Sequence, residues 1–515
     1  MTIKLSGPAL TGLNKSSPTY LDLSTIAPEL AAKNSHLWGD TAQAEAALRL
    51  NWIDLPTSSR DLLPELDALS AWARSKNLTN IILCGMGGSS LAPEVIAKCY
   101  GKSLTVLDST DPAQIKAALP ADFSRTVVVV GSKSGSTIET ASQRAFFAQA
   151  IKSAGLSVSD HMVIVTDPGS PLDIDARSQG LRTINADPHV GGRYSALSAF
   201  GLVPAALMGV DVSVLLDDAA AAAGTFAAED SPAVVIATLL FELSEEAIAF
   251  YDAGSALPGI SDWIEQLIAE STGKNEQGRI PVVIEGAHAA VGGRHFTVAF
   301  DGGSADLVVA GTLGEQFILW EWVTALLSRA IKIDPFNQPN VTEAKERTGA
   351  LLAEWSDGQV HSPAPAFESE NVQVYGNVSG DSISAILSNF LKQDNYYFAL
   401  MAYLHRGSDD AILELRELIA LATKKPTTFG WGPRFLHSTG QFHKGGQQNG
   451  AFIQISGDST VDVEIPGKSF GFHTLLMAQV LGDGQALQSR KYPLIRFHLK
   501  NRKAGISELI AALKA

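Results

Sequence analysis

The sequence predicts an α/β protein built on doubly wound parallel sheets. Short apolar runs alternate with segments of helical periodicity from about residue 62 onward, an order typical of parallel strands joined by helices on both faces of a sheet. A hydrophobic fraction of 45% and a charged fraction of 18% are those of a globular chain with large cores. The length of 515 residues is enough for two to four such domains.

The apolar runs set the expected strands and domains. We expect strands at Asn80–Cys84, Leu104–Asp108, Thr126–Val130, Met162–Thr166, Leu181–Ile184, Pro281–Ile284, Phe296–Phe300, Leu307–Ala310, Ala451–Ile455 and Leu494–Leu499. The predicted regions are a helical and extended segment (1–60), a first sheet domain (61–228), a second sheet domain (229–355) and an α/β region that completes the second domain (356–515). An Ala-rich helix that ends at Gly224 precedes the first boundary, and the loop-rich stretch 356–382 forms the second.

Composition excludes several classes of protein. A net charge of −15 argues against a nucleic-acid binder, which needs a basic face. The most apolar window, residues 233–243, is too short to span a bilayer, and the N-terminus has no sustained apolar segment of a signal peptide. Cys84 and Cys99 are too few for a disulfide framework or a zinc site. We therefore expect a cytoplasmic protein with reduced thiols and without nucleic-acid or membrane partners.

A polar loop follows one of the predicted strands. The stretch "SKSGSTIET", residues 132–140, comes directly after Thr126–Val130. Ser136 and Glu139 have the spacing of a capping box, which predicts a helix that starts at Thr137. The N-terminus of a helix can bind an anion through its free N–H groups. Further donors to a phosphate would be Ser132, Lys133, Ser134 and Thr137. An ordinary capped helix in a serine-rich loop is the alternative.

A second loop of the same character is "CGMGGSSLAPEV", residues 84–95. It is similar to a dinucleotide-binding loop, but Ser90 stands where G-x-G-x-x-G requires its third glycine. Asp108, at the end of the next predicted strand, keeps the dinucleotide alternative open. Two Ser/Gly loops at the ends of nearby strands fit a monophosphate better, so we add Gly88 and Ser89 to the predicted phosphate site.

Five stretches of the chain form a recognisable set of motifs. They are "GMGGSS" (85–90), "SKSGSTIET" (132–140), "HVGGRYSALSAFGL" (189–202), "ESTGK" (270–274) and "DPFNQPNVTEAK" (334–345). Together they resemble the glucose-6-phosphate isomerase (phosphoglucose isomerase) family. The resemblance covers roughly residues 60–350 and then "FLHSTGQFHKGG" (435–446), and it is closest to the isomerase half of fused transaldolase–isomerase proteins. It implies two sugar-isomerase (SIS) domains of the flavodoxin-like type.

The family resemblance implies a set of catalytic residues. An aldose–ketose isomerase needs a carboxylate base, a cation near the enediolate oxygens, and acid–base groups that open the sugar ring. Glu270 is the implied base, and Arg193 is the implied partner of the enediolate. Lys345 would assist ring opening, and Gln338 would line the same site. A solvated helix end is the alternative for Glu270, a structural arginine for Arg193 and a surface lysine for Lys345.

Helical spacing adds two expectations about these residues. Glu270 should lie in the last turn of a helix that ends before Gly273. Asn340 and Glu343 have the spacing of a capping box, so Asn340 should cap a helix that carries Lys345 on its inward face.

The position of the histidine motif departs from the family pattern. In short bacterial members an "HSxGQ" motif precedes the F-x-Q…K motif, whereas "HSTGQ" here follows Lys345 by about 90 residues. The resemblance favours His437 as the acid–base group of ring opening, with His443 as the alternative. In the family this histidine can come from a partner subunit, so a homodimer is an expected assembly.

The implied reaction interconverts glucose 6-phosphate and fructose 6-phosphate without a metal or a cofactor. A dual glucose/mannose phosphate isomerase is the nearest enzymatic alternative. A sugar-phosphate sensor without catalytic activity is the alternative from another class, because SIS domains also serve as ligand-binding modules. A sensor would need the phosphate loops but not Glu270.

Overall fold

The computed structural model describes residues 3–355 and 358–514. Residues 1–2 of the predicted N-terminal segment, residues 356–357 of the predicted junction and residue 515 lie outside the described residues. The strands of the described part are β1 (Lys4–Ser6), β2 (Asn80–Gly85), β3 (Thr105–Leu107), β4 (Thr126–Gly131), β5 (Met162–Thr166), β6 (Arg182–Asn185), β7 (Ala247–Tyr251), β8 (Ile280–Val283), β9 (Phe296–Phe300), β10 (Leu307–Ala310), β11 (Phe367–Glu368), β12 (Val372–Gly376), β13 (Tyr397–Tyr403), β14 (Thr427–Trp431), β15 (Gly450–Gly457) and β16 (Leu494–Leu499).

Helices connect these strands and cover the faces of the sheets. They are α1 (Pro18–Ala31), α2 (Asp40–Arg49), α3 (Leu55–Ser58), α4 (Leu63–Ser75), α5 (Leu91–Cys99), α6 (Pro112–Ala117), α7 (Ile138–Ser153), α8 (Pro171–Ser178), α9 (Ala199–Leu207), α10 (Val212–Ala223), α11 (Pro232–Glu242), α12 (Ile260–Thr272), α13 (Leu313–Ile331), α14 (Val341–Glu354), α15 (Ile383–Phe390), α16 (Glu414–Thr423), α17 (Gly440–Gly445), α18 (Phe472–Ser489) and α19 (Arg502–Lys514).

The strands form three sheets with one underlying strand order. The first sheet has the order β3-β2-β4-β5-β6, and all of its neighbours are parallel. The second contains β8-β7-β9-β10 and the third contains β14-β13-β15-β16, again parallel. If the parallel strands of each sheet are numbered in chain order, the first four lie in the spatial order 2-1-3-4 in all three sheets. This is the flavodoxin-like order. The predicted α/β class with parallel sheets is confirmed.

Antiparallel strands extend the second and third sheets at one edge. β1 pairs with β10 in the second sheet, and β12 pairs with β16 in the third. The C-terminal region therefore has a six-stranded sheet of its own and adds no strand to the second sheet, which differs from the expected completion of the second domain.

Two of the strands that the sequence analysis missed are apolar along their whole length. β7, with the sequence AIAFY, and β13, with YFALMAY, are buried at every position. A strand with both faces covered has no alternation of polar and apolar side chains, so periodicity does not separate it from a buried helix. β12 and β14 were missed as well, and β12 lies inside the predicted loop-rich stretch.

Two predicted helix caps are wrong. α7 begins at Ile138, one residue later than predicted, and its N-cap Thr137 makes no capping hydrogen bond through its side chain. Asn340 precedes α14 as predicted, but its side chain accepts from Gln441 Nε2 (2.8 Å) and does not cap the helix. In both cases the acidic residue of the expected capping box has another partner.

The fold places two predicted loops side by side. β2 and β4 are parallel neighbours, and Gly85 at the end of β2 lies opposite Gly131 at the end of β4. The chain order reverses between these two strands, which makes this edge the topological switch point where ligands bind in open α/β sheets. Within the described residues, no helix is long and apolar enough to cross a membrane.

Candidate active site

The loop after β2 lies directly against the loop that carries Arg193. A Cβ atom added to Gly88 would lie 1.9 Å from the carbonyl oxygen of Gly192, so only a glycine allows the two backbones to come this close. A Cβ on Gly87 would lie 2.8 Å from the carbonyl oxygen of His437. Ser89 is half-buried in the same turn. This loop therefore brings together Arg193 and His437, which are 244 positions apart in the sequence.

The loop after β4 forms one wall of a cavity of about 270 Å³. Ser134, Ser136 and Thr137 line it. The hydroxyls of Ser134 and Ser136 lie 2.6 Å apart, and the buried Ser132 hydroxyl accepts a hydrogen bond from Gly135 N (3.1 Å). The cavity begins at the N-terminus of α7, where hydroxyl and backbone donors can surround an anion.

Lys133 turns away from this cavity. Its ammonium lies 2.7 Å from Asp167 Oδ2 and donates to the carbonyl oxygen of Pro188 (3.0 Å). Asp167 follows β5, and Pro188 belongs to the segment that leads to Arg193. Lys133 therefore fastens the loop to its neighbours and is not brought into contact with the cavity.

Arg193 and Glu270 form a buried ion pair. Arg193 Nη1 lies 2.9 Å from Glu270 Oε1, and the two side chains are 3% and 12% exposed. The guanidinium also donates to Ser271 Oγ (2.8 Å), to Gln338 Oε1 (3.0 Å) and to the carbonyl oxygen of Pro335 (2.6 Å). These contacts fix the guanidinium beside the carboxylate. Glu270 lies in the last turn of α12, as predicted, and its helix is buried along nearly its whole length.

Gln266 connects this ion pair to the histidine. It lies one helical turn before Glu270, and its Nε2 donates to Glu270 Oε2 (3.1 Å) and to the carbonyl oxygen of His437 (2.8 Å). No sequence motif marked Gln266, although its i−4 spacing from Glu270 on a helix places both side chains on one face.

His437 is paired with Glu139. His437 Nε2 lies 2.9 Å from Glu139 Oε1, and the same oxygen accepts a hydrogen bond from Gln479 Nε2 (2.7 Å). Burial raises the pKa of the Glu139 carboxyl, but His437 and Lys345 lower it, and the resulting pKa lies below its ordinary value. Glu139 is therefore an anion that accepts the Nε2–H of His437, which leaves Nδ1 as the free acceptor of the neutral ring.

Glu139 and Gln479 were missed as site residues by the sequence analysis. The signal for Glu139 was present, because it belongs to "SKSGSTIET", but its spacing was interpreted as a helix cap. Gln479 lies in α18 and has no motif around it.

His443 occupies a different environment. It is buried, and its Nδ1 lies 3.1 Å from the hydroxyl of Tyr397, whose ring stacks on it. Burial, with Lys444 beside it, lowers the pKa of His443 to about 3. A neutral histidine in the core of the third sheet is not brought to the cavity, whereas His437 lines it.

Two lysines line the cavity opposite the α7 loop. Lys345 is an exposed residue of α14 that faces the cavity, whereas the sequence analysis expected it on the inward face of the helix. Lys444 is buried, and its ammonium forms an ion pair with Asp483 Oδ1 (2.6 Å). Gln338 is exposed and reaches the site through Arg193. Lys444 was also missed, although it lies in the quoted "HSTGQFHKGG" stretch.

The contacts of Asp108 argue against the dinucleotide alternative. Asp108 is buried, and its Oδ2 lies 3.0 Å from Arg434 Nη1 and 3.4 Å from Ser90 Oγ. A carboxylate already bound by a guanidinium is not available to a ribose. Within residues 3–355 and 358–514, no group of three or more His, Cys, Asp or Glu side chains is arranged to hold a metal ion.

Comparisons with known proteins show which proteins this chain is similar to. Residues 61–294 match the family model of phosphoglucose isomerase. A probable glucose-6-phosphate isomerase of Haloarcula marismortui is 33% identical over 243 residues, which are 45% of this chain and 56% of that protein. The glucose-6-phosphate isomerase of Citrifermentans bemidjiense is 27% identical over 381 residues, which are 58% of this chain and 72% of that protein. The family resemblance predicted from the motifs is confirmed.

A solved structure supports the fold. The crystal structure of a glucose-6-phosphate isomerase from Chlamydia trachomatis superposes with a TM-score of 0.51 at 20% identity, over 63% of this chain and 78% of that one. The chain spans about half of the length of the Haloarcula relative and of two further halophile relatives.

Proposed function

We propose that this chain, whose residues 61–294 match the phosphoglucose isomerase family, interconverts glucose 6-phosphate and fructose 6-phosphate. The observation that carries the proposal is the connection of two pairs at one site. The Arg193–Glu270 ion pair and the His437–Glu139 pair are joined through Gln266. The first pair provides a base beside a fixed cation, and the second provides an oriented imidazole.

Ring opening is assigned to His437 with Lys345. Because Nε2 of His437 is bound by Glu139, Nδ1 is the atom that can take the proton of the anomeric hydroxyl. The ring oxygen receives a proton as the C1–O5 bond breaks, and the Lys345 ammonium at the cavity wall can donate to it. This step produces the open-chain aldehyde.

Proton transfer is assigned to Glu270. Its carboxylate removes the proton from C2, the electron pair forms the C1–C2 double bond, and the carbonyl oxygen O1 takes the negative charge of the enediolate. The proton of the O2 hydroxyl then passes to O1, the C2 carbonyl forms, and the carboxyl of Glu270 returns its proton to C1. Arg193 is held beside it by four neighbouring acceptors. A fixed guanidinium stabilises the negative charge on the enediolate oxygens without giving up its own proton.

The phosphate of the substrate is assigned to the two loops at the switch point. Ser89, Ser132, Ser134 and Thr137 supply the hydroxyls, with Gly88 allowing the close approach of backbones. Lys133 contributes positive charge near the loop while it binds Asp167. A homodimer and a cytoplasmic location belong to the same proposal.

The sensor alternative is disfavoured by the burial of Glu270 next to Arg193. Two ionised groups in a buried site carry a desolvation cost that a binding module without chemistry does not need. The mannose alternative differs only in the configuration of the substrate at C2. A coupled assay with mannose 6-phosphate tests it directly.

The decisive experiment compares wild type with Glu270→Gln. The amide keeps the size of the side chain but is no base, so conversion of fructose 6-phosphate should fall by at least about 10³-fold while the sugar phosphate still binds. The matched control is Glu242→Gln, an exposed change at the end of α11, which should retain full activity. Equal activity of Glu270→Gln and wild type would refute the assignment of the base. Absence of activity in wild type, with binding intact, would favour the sensor.

A further inference from the structure

A second cavity of about 270 Å³ is lined by residues other than those of the proposed active site. Asp262 and Glu265 line it from α12, and Arg434 lines it from the turn that precedes His437. The wall also includes Glu285, Arg416 and Trp431. None of these side chains has a role in the proposed isomerisation.

The position of this cavity is one where α/β folds bind ligands. Its wall includes the carboxyl ends of β8 and β14, which are edge strands of the second and third sheets. Loops at the carboxyl ends of parallel strands form the crevices of such sheets. The cavity is therefore a crevice between two sheets, separate from the switch point of the first sheet.

The cations of the cavity already have anionic partners. Arg434 Nη1 lies 2.7 Å from Glu94 Oε2 and 3.0 Å from Asp108 Oδ2. Arg416 binds both carboxylate oxygens of Glu285, at 2.7 and 2.5 Å. The other two cations of the wall, Lys98 and Arg406, lie 3.0 and 2.9 Å from Glu94 Oε1. Every one of these four cations therefore already contacts a carboxylate.

Two carboxyl groups of the cavity lack such partners. Glu265 is 8% exposed, and among the described residues nothing forms a hydrogen bond or an ion pair within 4 Å with it. Asp262, which is half-buried and lies one helical turn earlier on the same face of α12, has no such partner either. Burial and the neighbouring Asp262 raise the pKa of Glu265 well above its ordinary value, against the opposing effect of Arg434. A buried carboxyl without a partner, as Glu265 is, is rare, because the cost of removing it from water is not recovered.

We propose that this cavity binds a small organic cation that carries a primary ammonium or guanidinium group. The N–H donors of the cation meet Glu265 and Asp262, and they recover the hydrogen bonds that both carboxyls lack. The half-buried Trp431 provides an aromatic surface for the charged group or for its methylene chain. Neither the family resemblance nor the proposed isomerisation requires such a ligand.

The experiment is calorimetric titration of the full chain with four probes of similar size: butylamine, butylguanidine, 1-butanol and butyrate. We expect saturable binding of the two cations, and no binding of the neutral alcohol or the anion. Binding of butyrate as tight as that of butylamine, or the absence of cation binding up to about 10 mM, would overturn the proposal. Isomerase activity is not the readout, so failure of this site leaves the proposed function untouched.

Substitutions at Glu265 and Asp262 test whether the cation binds in this cavity. Glu265→Gln should weaken butylamine binding about tenfold, since one charge-assisted hydrogen bond is lost. Glu65→Gln, an exposed change on α4, is the matched control and should bind as wild type does. If Glu265→Gln does not fold, Asp262→Asn provides the same comparison. Unchanged affinity in a folded variant at either position would place the cation elsewhere and contradict the assignment.

Discussion

Single residues acquire their role from partners that are far away in the sequence. Glu139 has the spacing of a helix cap, and that was the predicted role, yet its carboxylate accepts from His437 and Gln479. The spacing correctly placed Glu139 near the N-terminus of α7, but its partners come from segments that flank strands of the third sheet. Lys133 was predicted to bind the phosphate, but its ammonium group is bound by Asp167.

The charge of Glu139 can be tested separately from its hydrogen bonds. Both donors contact the same oxygen, Oε1, so Glu139→Gln can keep both hydrogen bonds through its amide oxygen while the negative charge is lost. We expect conversion of cyclic sugar phosphate to fall by about 10²-fold, because the imidazolium formed during ring opening is no longer stabilised. The measurement is kcat with the cyclic substrate and with an open-chain sugar phosphate too short to close a six-membered ring.

The open-chain substrate is the internal control of this prediction, since it needs proton transfer by Glu270 but no ring opening. Its rate in the Glu139→Gln variant should stay near that of wild type. Glu346→Gln, an exposed change on α14, controls for the loss of a negative charge near the site. Equal losses with both substrates would remove Glu139 and His437 from ring opening.

At the scale of elements, the sequence predicted the strands of the first sheet well and the middle of the chain less well. Strand β5 and strands β9, β10 and β16 were predicted with their observed bounds. Strands such as β13 are covered on both faces and carry no alternating pattern, so their apolar runs are equally compatible with a helix. The loops after β2 and β4 could be predicted because their glycines and hydroxyls interrupt an apolar pattern.

The contact between the loop after β2 and the loop that carries Arg193 can be tested by a substitution at Gly88. In Gly88→Ala the new Cβ would meet the carbonyl oxygen of Gly192 and push the loop after β2 away from the Arg193 loop. We expect a loss of about 1–3 kcal/mol in the free energy of unfolding. We also expect an activity loss of about 10²-fold, because Arg193 shifts with its loop. Thermal unfolding and the coupled isomerase assay measure the two effects.

Gly192→Ala is the matched control for stability, since a Cβ at Gly192 has no atom within 4 Å. The two glycines face each other, but only one of them is required by the contact. Similar stability of both variants would show that the loops can separate without cost, and the argument for a close approach would fail.

At the scale of the whole molecule, the candidate site is an assembly of all three sheets. Glu139 comes from the first sheet domain, Glu270 follows a strand of the second sheet, and His437 follows β14 of the third. Sequence analysis could name Glu270 and His437 from motifs, but not their connection, because that depends on how the three sheets pack against one another. Gln266 and Gln479 contribute to this connection through hydrogen bonds. No sequence motif marks either side chain.

Buried charges also hold the first and third sheet regions together, and they make the molecule sensitive to acid. Glu94 of α5 lies 2.7 Å from Arg434 and 2.9 Å from Arg406, two residues that follow strands of the third sheet. Burial raises the pKa of Glu94, but Arg434, Arg406 and Lys98 lower it well below its ordinary value. A carboxyl whose pKa is depressed in the folded state contributes stability that is present above its unfolded pKa of about 4.3 and is lost as pH falls below it.

Glu94→Gln should therefore destabilise the protein most at neutral pH. We expect a loss of about 3 kcal/mol at pH 7, since the variant leaves the two guanidinium groups without their anion. The difference from wild type should shrink by about 2 kcal/mol at pH 3, where Glu94 is protonated in the unfolded chain of wild type. Unfolding followed by calorimetry between pH 7 and pH 3 measures this, with the exposed Glu65→Gln as the control. A difference that is constant over this range would mean that Glu94 acts through packing, and the ionic link between the sheets would contribute nothing.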